Sequence, residues 1–234
     1  MILMVETATT RPLLALLHLC DSLFPIGGFG YSDGLEAATA TRLVETPAEL
    51  QAWLDACLLE VVGRMDGPAT LGAWSAFERR DWHALCELDD ELTAMRPSSA
   101  IRRSSRAMGL RLVTTWSALY PDRRLERLLD LARARRLGPA LPVAFGCACA
   151  SAGVTVRDAG AAFAYTRLAS TTSAALRLMK IGQTDAHAQL ASALEHVPMV
   201  VEAMTTRARL ESFAPAMDVA AMTQQYLHSR LFRS

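Results

Sequence analysis

The sequence predicts an all-α fold, a single helical domain of about ten helices, on three observations. Hydrophobic residues make up 51% of the chain but aromatic residues only 6%. The core is therefore rich in Ala and Leu, which suits close-packed helices better than a sandwich of β-branched and aromatic side chains. Apolar residues recur at i, i+3, i+4 and i+7, and no run keeps the two-residue period of a strand for long. At 234 residues, one large domain buries roughly 70–75% of the surface its unfolded chain exposes, enough to fold without disulfides.

Taken in order, Leu13, Leu16, Leu17 and Cys20 form one helical face, with Pro12 placed for a first turn. Thr46-Pro47 starts the next helix and carries Leu50, Trp53, Leu54, Cys57, Leu58 and Val61 on one side. Helices follow at about 69–79 and 81–95. Pro97 opens another, in which Ile101, Met108 and Leu112 face inward while Arg102, Arg103 and Arg106 face out. The remaining helices are expected at about 123–136, 141–153, 157–180, 184–209 and 215–231. Residues 137–156 carry no charge, but Pro139, Pro142 and three glycines make them a buried core helix rather than a membrane span. No repeat or linker divides the chain, so residues 1–234 read as one domain with an N-terminal arm at 1–11 and a C-terminal tail at 225–234. One segment breaks the pattern. Phe24-Pro25-Ile26-Gly27-Gly28-Phe29-Gly30-Tyr31 must be a loop, yet it is apolar, which points to close backbone approach in the core or against a partner.

Charge and motif exclude several functions. With 24 basic and 24 acidic residues, no basic face is large enough to bind nucleic acid through its phosphates. Lys180 is the only lysine and follows Met179, so the Gly-Lys of a P-loop is missing. Gly28-x-Gly30 is followed by Gly34 instead of a glycine at 33, and no strand precedes it, which argues against a dinucleotide site. The five histidines are scattered and no serine sits in a nucleophile elbow, so no catalytic constellation is expected. Cys147 and Cys149 lie about 200° apart on a helix, as do Asp185 and His187, and neither pair suits one metal ion. The odd count of five cysteines, and an N-terminus without a signal-peptide pattern, point to reduced thiols and a cytoplasmic location.

Three segments carry a resemblance to a known family. Asp21-Ser22-Leu23-Phe24-Pro25-Ile26-Gly27-Gly28-Phe29-Gly30-Tyr31-Ser32-Asp33-Gly34-Leu35-Glu36 resembles the opening signature of the urease accessory protein UreF family. Ile181-Gly182-Gln183-Thr184-Asp185 is similar to that family's P-L-G-Q-T-D. Ser212-Phe213-Ala214-Pro215, then Asp218, then Ser229-Arg230-Leu231-Phe232-Arg233-Ser234 resembles its C-terminus. The chain departs from the family where Gln224 and Gln225 replace His-Glu and His228 replaces Tyr, which removes an imidazole and a carboxylate from the tail.

The resemblance implies a non-enzymatic, all-α dimer. Such a protein bridges the scaffold protein UreD (UreH in some organisms) and the GTPase UreG in a complex that delivers nickel to apo-urease. It would bind no cofactor tightly, the nickel being handled by the complex, and would need neither nucleic acid nor membrane. A direct nickel-binding metallochaperone is the alternative. The residues expected to meet partners are Phe29 and Tyr31 in the loop, and Arg177, Lys180 and Gln183 at a helix end. In the tail they are Leu227, Arg230, Leu231, Phe232 and Arg233, where apolar side chains beside arginine have the composition of interface anchors. A last helix packed on its own core remains open for 215–226, as does a purely structural turn for the loop.

Overall fold

The computed structural model describes residues 2–207 and 209–232, with side chains from Thr10 onward apart from Phe29. The described residues form one all-α domain without a strand. Its α-helices are α1 Ile2–Cys20, α2 Leu35–Ala40, α3 Pro47–Ala56, α4 Gly67–Arg79, α5 Trp82–Ala94, α6 Ser99–Leu119, α7 Arg123–Arg133, α8 Leu141–Ser151, α9 Val156–Leu178, α10 Gln183–Glu195, α11 Val197–Thr206 and α12 Pro215–Thr223.

The apolar stretch around α8 becomes the centre of the molecule. Every residue from Pro142 to Ala150 is buried, and α8 packs on α4, α6 and α9 at once. Cys147 and Cys149 are part of that core, and burial pushes both thiols up from their ordinary range. At Gly146 the backbones of α8 and α4 come so close that a Cβ would fall inside contact distance of Thr70 O, and 3.1 Å from Trp74 N.

Thr46 does start α3, in a complete capping box with Glu49. The helix then continues into α4 through the π-helical segment Cys57–Asp66. The wider π turn moves the buried face on by one residue, so that Val62, not the expected Val61, is fully buried after Leu58. The segment ends at Asp66, buried in an ion pair with Arg96 just ahead of α6.

Several expected boundaries move. Pro12 lies inside α1, not at its first turn, because residues 2–11 are already helical. α1 packs mainly on α9, and it buries Ala15 and Leu19 while Leu13 and Leu17 stay exposed. The helix expected at 184–209 divides at His196, since Pro198 starts α11 afresh. α9 ends at Leu178, just short of the expected 180, and Gly182 caps the start of α10 with an ordinary φ of −71°.

The loop before α8 is held by a buried carboxylate. Asp89 of α5 accepts from Ala140 N at 2.7 Å and Gly138 N at 3.2 Å. Burial outweighs these bonds and pushes its pKa from 3.8 up to about 6. The folded protein therefore holds this proton more tightly than the unfolded chain, and the stability Asp89 contributes falls as pH rises between those values. Asp89→Asn removes the titration. The variant's urea midpoint should gain on that of the wild type as pH rises from about 4 to about 6, then keep a constant difference.

Candidate partner-docking site

The opening segment turns sharply at Asp33 and Gly34, with φ of 49° and 93°. Gly34 satisfies two demands at once. Its φ suits glycine, and a Cβ there would stand 2.8 Å from Ala221 N, so only glycine lets α12 lie against the start of α2. The turn aims Glu36 inward, where it is 5% exposed. Its carboxylate accepts from Gln224 Nε2 at 2.9 Å, from Phe232 N at 3.3 Å and from Leu231 N. Gln224 Oε1 in turn accepts from Ser32 Oγ and Gly34 N, both at 3.2 Å. A buried carboxylate on α2 thus ties the tail to the opening loop.

Phe232 completes the junction. It is 3% exposed, and the Arg177 guanidinium at the end of α9 lies 4.1 Å from its ring centroid, close enough for cation–π attraction. Loss of solvent lowers the Arg177 pKa below the usual arginine value. Beside the junction is a cavity of about 480 Å³ walled by Phe24, Leu112, Phe145 and Phe163. Asp33 and Arg167, paired at 2.6 Å, lie on its polar edge. Burial works against the Arg167 cation, but the charges of Asp33 and Asp66 and the bond to Asp33 outweigh it and push its pKa up.

Six of the ten expected partner-binding residues fall into three groups. Arg177, Phe232 and Leu231 meet at the junction, with Leu231 62% exposed beyond its backbone bond to Glu36. Tyr31 is half-buried and lines the cavity. Lys180 and Gln183 are exposed at the α9–α10 corner. Leu227 and Leu231 do not share the helical face expected for 215–231. α12 stops at Thr223 and passes through a 3₁₀ turn, Gln224–Tyr226, leaving Leu227 half-buried against the core and Arg230 exposed. The side chain of Phe29 and all of Arg233 lie outside the described residues. Of the loop glycines expected to shape the bend, Gly27 has a positive φ, at 79°, while Gly28 and Gly30 do not.

Sequence reasoning passed over Glu36, Gln224 and the Asp33–Arg167 pair. Glu36 had one visible signal, a lone carboxylate in the small apolar helix Leu35-Glu36-Ala37-Ala38-Thr39-Ala40. Gln224 read only as a lost imidazole, whereas its amide is what links Glu36 to the turn at Ser32 and Gly34. Among the described residues no three His, Cys, Asp or Glu side chains gather as a metal site, and no helix is long and apolar enough to cross a membrane.

Fold and site together define a class: a single all-α domain in which an opening loop, the end of a long central helix and a returning tail converge on one buried carboxylate. The family follows from comparison with known proteins. The family model UreF matches residues 44–194. The chain is 34% identical over 227 residues to the urease accessory protein UreF of Methylibium petroleiphilum, covering 95% of this chain and 94% of the relative. It is 30% identical over 227 residues to the urease accessory protein UreF of Cupriavidus metallidurans, covering 95% and 97%. The chain belongs to the UreF family.

Proposed function

We propose that this chain is a urease accessory protein that works by binding other proteins and catalyses no reaction itself. In this reading it acts as a homodimer in the cytoplasm and bridges the scaffold UreD (UreH) and the GTPase UreG. The assembled complex delivers nickel to apo-urease and couples GTP turnover to formation of the metal centre. The relatives named urease accessory protein support the role. The observation that carries the bridging is the junction itself, where the tail, which this reading assigns to UreD, lies against Arg177, next to the α9–α10 corner, which it assigns to UreG.

Because Arg177 also covers Phe232, substituting it would disturb the tail and the corner together. Lys180 and Gln183 separate the two, since both are exposed. Lys180→Ala with Gln183→Ala is expected to lower capture of purified UreG several-fold, more at low than at high salt, as for charges at an interface rim. Melting temperature and UreD capture should stay at wild-type values. Loss of both partners together would mean that the corner only supports the fold, and undiminished UreG capture would place the GTPase elsewhere. Urease activation in a strain lacking this protein tests the role as a whole.

A further inference from the structure

We infer that the outward face of α6 is a docking surface for an acidic polypeptide segment of a protein partner, separate from the tail junction and the α9–α10 corner. The inference rests on the reading that this chain works by binding other proteins. α6 carries Arg102, Arg103, Arg106 and Arg111 and not one acidic residue over its 21 positions, in a chain whose charges balance overall at 24 to 24. At about 100° per residue, Arg106, Leu110, Arg103, Thr114 and Arg111 fall side by side across an arc of about 140°. Met108, Leu112 and Trp116 are buried on the opposite side. Arg102 turns away and donates to Arg96 O and Pro97 O.

The three outward arginines are poorly matched with carboxylates among the described residues. Arg103 bonds Ser99 Oγ, and Arg111 donates to Ile26 O at 3.4 Å. Arg106 has Asp90 no nearer than 3.9 Å. By contrast Arg64, Arg133, Arg157 and Arg207 each hold a carboxylate of their own chain at 3.0 Å or less. Guanidinium groups without a close carboxylate are forks suited to one, bonding its two oxygens at once. Leu110, 44% exposed in the middle of the arc, adds an apolar anchor that a phosphate backbone would not use. The balanced net charge also withholds the broad positive field that nucleic acid requires. These features together select a polypeptide with carboxylates flanking an apolar side chain.

The probe is a fluorescein-labelled amphipathic peptide of Glu and Leu, titrated with the full-length protein by fluorescence anisotropy. The wild type is expected to bind it in a salt-sensitive manner, and Arg103→Glu with Arg106→Glu to weaken binding at least about tenfold at an unchanged melting temperature. Arg111 touches the opening loop, so Arg111→Glu is made separately and should add to the loss. The inference is overturned if the double variant binds the peptide like the wild type, if the wild type does not bind it, or if mixed-sequence RNA binds more tightly than the peptide. Failure of the wild type to capture UreD or UreG would count against the proposed function and leave the peptide result standing.

Discussion

Glu36→Ala should detach the tail and lower the stability of the folded chain by about 2–4 kcal/mol. The carboxylate accepts from three donors, Gln224 Nε2, Leu231 N and Phe232 N. Each buried donor left without a partner costs about 1–3 kcal/mol unless it moves into water. The tail donors are near enough to the surface to do so, and Phe232 then comes out with them, giving up about 1.5–3 kcal/mol of burial. Desolvation of the Glu36 charge offsets part of this, which keeps the total below the sum. The checks are the urea midpoint and hydrogen exchange at 227–232, where protection should vanish in the variant while the core helices stay protected. Phe232→Ala provides the second arm, releasing the same segment with Glu36 intact. If residues 227–232 remained protected in Glu36→Ala, the carboxylate would not be what holds the tail. UreD capture by the two variants would then tell whether a docked or a freed tail is the binding form.

Gly146→Ala is expected to cost more than about 3 kcal/mol, beyond the usual price of an added methyl in a core. The added carbon meets the carbonyl of Thr70 and approaches the amide of Trp74, both backbone atoms of α4, so no side chain can turn aside to make room. α4 and α8 would have to move apart, opening gaps along the most extensively packed pair of helices in the molecule. Gly28→Ala is the contrast. Its Cβ would meet nothing closer than the flexible Ile26 side chain at 3.7 Å, and its φ is not positive. It is expected to change stability by less than about 1 kcal/mol, with the lower entropy of the unfolded chain acting in its favour. Chemical denaturation of both variants decides the matter, and equal losses would remove close helix approach as the explanation.

These two glycines also mark where sequence reasoning stopped. Gly27, Gly28 and Gly30 attract notice because they cluster with proline in an apolar run, yet only Gly27 has the positive φ that makes glycine necessary there. Gly146 sits unremarked in a helix of small residues, and the reason it must be glycine is a carbonyl on another helix.

What the sequence determined by itself is local. Helical period, Ala and Leu content and the helix start at Thr46-Pro47 establish an all-α chain, because each acts within a few residues and does not depend on the neighbouring element. The buried helix at 141–151 was legible for the same reason, since a charge-free stretch has to be covered wherever it lies. Only the tertiary structure decided which face of α1 is covered, how far the π-helical winding shifts the buried side of 57–66, and that Glu36, Gln224 and Phe232 meet. Those outcomes depend on which helices lie opposite, and contacts between residues about 190 positions apart leave no period in a sequence to read.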